Sequence, residues 1–281
     1  MYLRPITIDE ALRTLAEGGR VLAGATDLLP AAGETGLDGA FVDVSRLAAL
    51  RGISHEGGFV RIGGATTWSE IVRAELPPAF AALQRAAREI GAAQIQTRGT
   101  LAGNLCNASP AADGVPPLLA LDAQVELDSA RGRRRLKLGD FLLGARKTAL
   151  AADELMTAIL CPEPSPHARS AFFKLGARRY LVISIAMVAV GLEIVDGAVR
   201  EARVAVGACS AVAMRLPAAE ARLRGAPADD ALGDLLRAED FAALTPIDDV
   251  RASADYRRAA ALELTRRAVR ACVNHESGGV V

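Results

Sequence analysis

Two glycine-bearing stretches hold the residues of this chain whose types and spacing could do chemistry. The longer is residues 97 to 117, Thr-Arg-Gly-Thr-Leu-Ala-Gly-Asn-Leu-Cys-Asn-Ala-Ser-Pro-Ala-Ala-Asp-Gly-Val-Pro-Pro. Gly99 and Gly103 let the backbone turn sharply and come close to a ligand. Thr100, Asn104, Asn107 and Ser109 supply neutral hydrogen-bonding groups, and Asp113 supplies a carboxylate. The earlier stretch, Ala23-Gly24-Ala25-Thr26-Asp27-Leu28, runs on from the apolar segment Val21-Leu22-Ala23. A pyrophosphate carries about two negative charges, and backbone N–H dipoles can hold it without lysine where glycine permits close approach. The first stretch can present several N–H groups in a row. Thr100-Leu101-Ala102-Gly103-Asn104 can do so from another direction. Neither fits G-x-G-x-x-G or G-x-x-x-x-G-K-[ST], which disfavours a Rossmann or P-loop site. Plain turns use the same residue types, so it is the pairing of two stretches that predicts a phosphorylated, hydroxyl-rich ligand.

The elements that would position these stretches follow from pattern. Thr7 and Glu10 have capping-box spacing before the stripe Ala11, Leu12, Leu15. Val21 to Ala23 and Phe41 to Val44 read as strands, giving a small α/β unit up to about Gly52. Gly52 to His55 and Phe59 to Gly63 predict a hairpin, Thr67 and Glu70 a second capping box, and Pro78 to Ile90 a helix. Pro110 can open a helix over Ala111 to Leu121. Gln124 to Asp128 and Arg133 to Leu138 predict another hairpin, and Glu154 to Cys161 a strand stopped by Pro162. Residues 162 to 169 read as a linker. Beyond it, Ala171 to Leu175, Leu181 to Val195 and Ala198 to Gly207 predict a three-stranded antiparallel meander, with an Asp196-Gly197 turn. Helices are expected over Pro217 to Leu223, Ala228 to Leu236 and Asp255 to Val273. The expected fold class is α+β, divided at 1–52, 53–165 and 166–281.

Composition excludes several classes. The 281 residues carry no net charge, which gives no electrostatic reason to bind nucleic acid or an anionic membrane. Cys106, Cys161, Cys209 and Cys272 are scattered, without metal-ligand spacing, and His55, His167 and His275 lie far apart, so no metal site is expected. The longest apolar run, Leu181 to Leu192, is too short to span a bilayer. No signal peptide is evident, and a cytoplasmic setting fits.

Both stretches, in this order and about seventy-five residues apart, resemble the FAD-binding subunit of the molybdenum hydroxylases, the xanthine dehydrogenase and carbon monoxide dehydrogenase family. Ala23 to Leu28 resembles that family's A-G-G-T-D-L motif. Thr100 to Asn104 followed by Ala108-Ser109-Pro110-Ala111-Ala112-Asp113 resembles T-x-G-G-N and A-S-P-x-x-D. Phe173-Lys174-Leu175-Gly176-Ala177-Arg178-Arg179 is similar to F-x-K-x-x-x-R, and Asp248 to Arg257 to the run opening the last helix. The resemblance implies two subdomains of the PCMH-type fold clasping non-covalent FAD, and a C-terminal α+β domain. It implies that Val21, Leu22, Ala23, Gly24, Ala25, Thr26, Asp27 and Leu28, with Thr100, Leu101, Ala102, Gly103 and Asn104, hold the pyrophosphate. Ser109 and Asp113 would bond ribityl or ribose hydroxyls, and Ile90, Met156 and Lys174 would line the flavin ring or its edge. It implies a partner large molybdenum-cofactor subunit and a small [2Fe–2S] subunit in a dimer of heterotrimers. Electrons would pass from the iron–sulfur partner through FAD to NAD⁺, a quinone or O₂. The chain departs from the pattern at Ala25 and Ala102, where relatives carry glycine, and at Val182, where many carry Asp. It lacks the cysteine-rich insert of members that reduce hydroxybenzoyl-CoA.

Simpler readings stand beside these. Asp27 could be only a helix cap, Asp113 could favour its helix N-terminus, and Lys174 could protect a strand edge. Met156 and Ile90 could be plain core, Trp68 a helix staple, and Arg131 to Lys137 a solvated basic hairpin. A free-standing flavin oxidoreductase and an assembly subunit that has lost flavin are the alternative functions.

Overall fold

The computed structural model describes residues 1–33, 36–179 and 181–275. The first unit contains β1 (Tyr2–Leu3), α1 (Ile8–Ala16), β2 (Arg20–Leu22), α2 (Leu28–Ala32) and β3 (Phe41–Asp43). Its strands form a parallel sheet in the order β1-β3-β2. Thr7 caps α1, its Oγ1 accepting the Glu10 N–H at 3.2 Å. The Glu10 carboxylate reaches one residue further back than a capping box requires, accepting the Ile6 N–H at 3.0 Å. Leu12 and Leu15 pack with Val42, Leu47 and Leu50 in a small core that also takes in Ala65 and Leu155 of the second unit.

The second unit is built on a five-stranded antiparallel sheet, ordered β4-β5-β10-β6-β7. Its elements run β4 (Ile53–Glu56), β5 (Phe59–Gly63), α3 (Trp68–Arg73), α4 (Ala81–Glu89), α5 (Ala93–Gln96), α6 (Leu101–Asn107) and α7 (Val115–Ala120). They continue with β6 (Gln124–Ser129), β7 (Gly132–Lys137), α8 (Leu138–Phe141), β8 (Leu142–Gly144), β9 (Lys147–Thr148) and β10 (Leu155–Pro162). The capping box at Thr67 and Glu70 is complete. Trp68, Phe80, Leu101, Leu105 and Phe141 anchor the core.

Two local expectations are corrected in this unit. Residues 100 to 104 are the start of α6, with Thr100 as its cap and the Gly103 N–H donating to Thr100 Oγ1 at 3.1 Å. The helix expected from Ala111 begins only at Val115. Ser109 accounts for the delay: its Oγ accepts the Ala111 N–H at 3.3 Å and its carbonyl the Ala112 N–H at 3.0 Å. That local turn competes with a helix.

The C-terminal unit comprises β11 (Ala168–Leu175), β12 (Ala186–Val195), β13 (Ala198–Gly207), β14 (Met214–Arg215), α9 (Pro217–Leu223) and α10 (Ala254–Val273). The three-stranded antiparallel meander is extended by the two residues of β14 into the order β11-β12-β13-β14. Asp196 and Gly197 both have positive φ, 50° and 73°, as a tight hairpin turn of this hand requires. The strand expected from Leu181 begins at Ala186. Leu181 has a φ of 50° and its carbonyl accepts Arg178 Nε at 3.1 Å, so residues 181 to 185 form a connecting segment. The helix expected over Ala228 to Leu236 shrinks to a 3₁₀ turn at Leu232–Leu235, because Asp229 Oδ1 takes the Ala231 N–H at 2.9 Å.

Period-two alternation shows why β12 is apolar throughout. Ala186, Val188, Val190 and Leu192 face a core shared with Ala261, Leu264 and Ala268 of α10. Met187 and Ala189 face the other way, packing with Phe172 against Ala82 and Ala86 of α4 and Ala120 of α7. Both faces are covered, and the second covering joins this unit to the one before it. Among the described residues no helix is long and apolar enough to cross a membrane.

Candidate functional site

A cleft of about 640 Å³ opens between the first two units. One wall is β2 and the turn into α2. The floor is the start of α6 with Trp68. The facing wall is the segment from Thr148 to Met156. The two glycine-bearing stretches meet here. A Cβ on Gly24 would stand 1.9 Å from the Arg98 carbonyl oxygen, and one on Gly99 would stand 3.3 Å from Thr26 Oγ1. At Gly24 only glycine permits backbone contact this close.

Ala25 adopts a φ of 57°. This left-handed residue bends the chain so that successive N–H groups gather on one side, the arrangement that makes an anion cradle. Among the described residues, the backbone N–H groups of Gly24, Ala25, Thr26 and Asp27 donate to no protein acceptor. On the other stretch, the Leu101 N–H goes to the Thr66 carbonyl at 3.0 Å and the Gly103 N–H to the cap. Most anion-binding capacity therefore lies in the earlier stretch.

Asn104 lines the cleft from α6, and its Oδ1 is buried without a hydrogen-bond partner. That oxygen lies against Gly114, 2.9 Å from where a Cβ there would stand, and a buried carbonyl oxygen left unpaired costs about 1–3 kcal/mol. Asp27 precedes α2 without capping it. Its Oδ1 accepts Asn107 Nδ2 at 2.7 Å, a bond that joins the two walls. Arg146 orients Asn107 by donating to its side-chain and backbone oxygens. Glu154 lies on the facing wall, held below the usual carboxylate range chiefly by Arg134. Cys106 also lines the cleft, and burial pushes its thiol up to about 12, which leaves it protonated at neutral pH. Arg20, Asp27 and Glu154 are the charged lining residues, none of them a lysine or histidine.

The cleft gathers residues 21 to 28, Ile90, Thr100, Ala102, Gly103, Asn104 and Met156. It does not gather Leu101, Ser109, Asp113 or Lys174. Leu101 points into the core of the second unit, because it sits on the inner face of α6. Ser109 is engaged in the turn after α6. Lys174 of β11 donates to Asp113 Oδ2 at 2.6 Å, and Ser184 donates to Oδ1 at 2.6 Å. All three are buried where the second and third units meet. Burial raises the Asp113 carboxyl above its ordinary value, with Lys174 and Ser184 opposing that rise.

Trp68, Ile95, Cys106 and Glu154 are lining residues the sequence reading did not assign to the site. Trp68 owes its place to a distant residue: a Cβ on Gly114 would stand 2.6 Å from its ring, so the glycine there leaves room for it. Neither residue carried a signal in the sequence, and Glu154 precedes a strand like any other acid.

The comparisons with known proteins give the family. Residues 1–164 match the FAD binding domain in molybdopterin dehydrogenase, and residues 171–272 match the CO dehydrogenase flavoprotein C-terminal domain. The chain is 32% identical over 273 residues to the nicotine 6-hydroxylase medium subunit of Paenarthrobacter nicotinovorans, covering 95% of each. It is 34% identical over 240 residues to the nicotinate dehydrogenase FAD-subunit of Eubacterium barkeri, covering 80% of each. In structure it resembles a chain of carbon monoxide dehydrogenase from Hydrogenophaga pseudoflava, with a TM-score of 0.87, 29% identity and 98% of each chain covered. The chain belongs to the FAD-binding family of the molybdopterin dehydrogenases, as the medium, flavoprotein type of oxidoreductase subunit.

Proposed function

We propose that this chain binds one FAD non-covalently in the cleft and relays electrons from a [2Fe–2S] partner subunit to an acceptor such as NAD⁺, a quinone or O₂. Substrate oxidation would occur at molybdenum in a large partner subunit, within a cytoplasmic dimer of heterotrimers. The three units 1–52, 53–165 and 166–281 would serve as two clasping subdomains and a buttress. The observation that carries the reading is the set of unbonded N–H groups from Gly24 to Asp27, on residues that line the cleft between the first two units.

The residues present fit FAD. The N–H groups of 24 to 27 would hold the pyrophosphate, Thr100, Ala102, Gly103 and Asn104 would line its other side, and Ile90, Ile95 and Met156 would give an apolar surface for the ring. Flavin exchanges electrons singly or as a pair, which couples one-electron centres to two-electron acceptors. The protein's part is to bind, orient and keep water out. Ala25 speaks against the assembly-subunit alternative, since it adopts the positive φ that a glycine there would supply. The absence of histidine among the lining residues favours non-covalent binding over the free-standing oxidoreductase with a tethered flavin. Four free thiols fit a reducing setting.

The test is the visible spectrum and acid-extracted cofactor of the purified chain, alone and with its partner subunits. FAD released intact by acid, near one per chain, is the expected result. A colourless chain that stays flavin-free in both forms would overturn it.

A further inference from the structure

The basic hairpin of β6 and β7 plays no part in the reading above, yet it touches the cleft from behind. Arg133 forks onto Asp128 at 2.7 and 2.8 Å, and Arg135 binds Glu126 at 2.8 Å, both on the hairpin itself. Arg134 points elsewhere. Its Nε and Nη2 donate to the two oxygens of Glu154 at 2.6 and 2.8 Å, and Nη2 also donates to the Ala149 carbonyl at 2.7 Å. Glu154 accepts the Ala151 N–H at 2.8 Å, and its side chain is only 4% exposed. Arg131 adds an ion pair to Asp153. Residues 149 to 154 belong to no helix or strand, so no ladder holds them. Leu150, Ala151, Ala152 and Glu154 nonetheless form part of the facing wall of the cleft.

We propose that Arg134 and Glu154 are positioning residues for the cofactor: one guanidinium fork pins the irregular wall segment 149–154 in the shape that FAD binds against. This rests on the FAD reading given above. The fork matters because its two donors and the third bond to Ala149 fix orientation as well as distance, which a point charge cannot do. A segment without ladder bonds otherwise opens at low cost, and a cofactor that needs the closed wall then loses affinity.

The test compares Arg134→Ala with Arg133→Ala, a neighbouring bidentate arginine that faces away from the wall. FAD affinity is read by fluorescence titration of flavin-free protein, and wall order by amide hydrogen exchange across residues 150–154 before FAD is added. Arg134→Ala should weaken FAD binding about tenfold or more, the ratio expected for one charged hydrogen-bonded pair, and should speed exchange in the wall. Arg133→Ala should leave both readouts at the wild-type level. Arg134→Lys, which keeps the charge and loses the fork, should fall between. Arg134→Ala and Arg133→Ala alike in both readouts would overturn the proposal, as would a lysine variant indistinguishable from wild type. A wild-type chain that does not bind FAD would instead overturn the cofactor reading itself.

Discussion

The two glycine-bearing stretches look alike in sequence and do different work in the fold. Residues 23 to 28 form an open turn in which the N–H groups of Gly24 to Asp27 are unbonded, shaped by a glycine pressed against the Arg98 carbonyl and an alanine at positive φ. Residues 100 to 104 form the first turn of a capped helix, with most donors satisfied. The alanines that replace glycine differ accordingly. Ala25 bears the strain of a left-handed residue, whereas Ala102 sits inside a helix, where alanine is the preferred residue. The chain downstream differs too. Asp27 lies at the cleft and bonds Asn107, while Asp113 is drawn into the seam with the C-terminal unit. Residue type shows what a stretch can offer, and the neighbours determine what it still has free to offer.

The largest effect should come from the seam. Lys174→Ala would strand the Asp113 carboxylate in a buried site, at a cost of about 3–5 kcal/mol in chemical unfolding. The Asp113 carboxyl is raised above its ordinary value of 3.8. Its contribution to stability is therefore fullest below that value and is lost as pH rises through the folded pKa. The Lys174→Ala penalty should shrink in acid, as Asp113 takes up a proton. If the flavin spectrum of the folded variant shifts strongly while its stability is unchanged, Asp113 and Lys174 belong to the cofactor site after all and the contrast fails.

A smaller effect separates the glycines. Gly24→Ala sets a Cβ against backbone that cannot yield, at about 1–3 kcal/mol or more, with loss of FAD uptake. Gly103→Ala meets only Thr100 Oγ1, at 2.9 Å. The helix gains about 1 kcal/mol from alanine, offsetting the weakened cap, so the net change should stay within about 1 kcal/mol. Equal damage from both would show that α6 also approaches the cofactor with its backbone.

The smallest effect is a difference of sign. Ala25→Gly should stabilise the protein slightly, since relief of left-handed strain of about 1–2 kcal/mol exceeds the added unfolded-state freedom of about 0.4–1 kcal/mol. Ala102→Gly should cost about 1 kcal/mol. Thermal unfolding of the two variants side by side reads the contrast directly.

Much of the architecture was legible because it depends on near neighbours. Thr67 and Glu70 cap a helix wherever that helix goes, and Asp196-Gly197 turns a hairpin by its own backbone. The errors arose where a side chain answered its own backbone: Ser109 delayed α7, and Asp229 reduced a helix to a 3₁₀ turn. At the site, residues 21 to 28 were found because strand, glycine and polar residue follow one another. Trp68 and Glu154 were missed because their place in the cleft is made by Gly114 and Arg134, at sequence distances no local pattern spans.

By itself the sequence determined the order and kind of most elements, the meander of the C-terminal sheet and the two candidate cofactor stretches. Capping, turn chemistry and hydrophobic period act over a few residues, so they are written locally. Only the tertiary structure decided that Gly24 lies against Arg98, that Asp113 pairs with Lys174 away from the cleft, and that a hairpin arginine braces the cleft wall. Those are contacts between distant segments. They depend on how whole units pack, which fixes which polar groups are satisfied by the protein and which are left for a ligand.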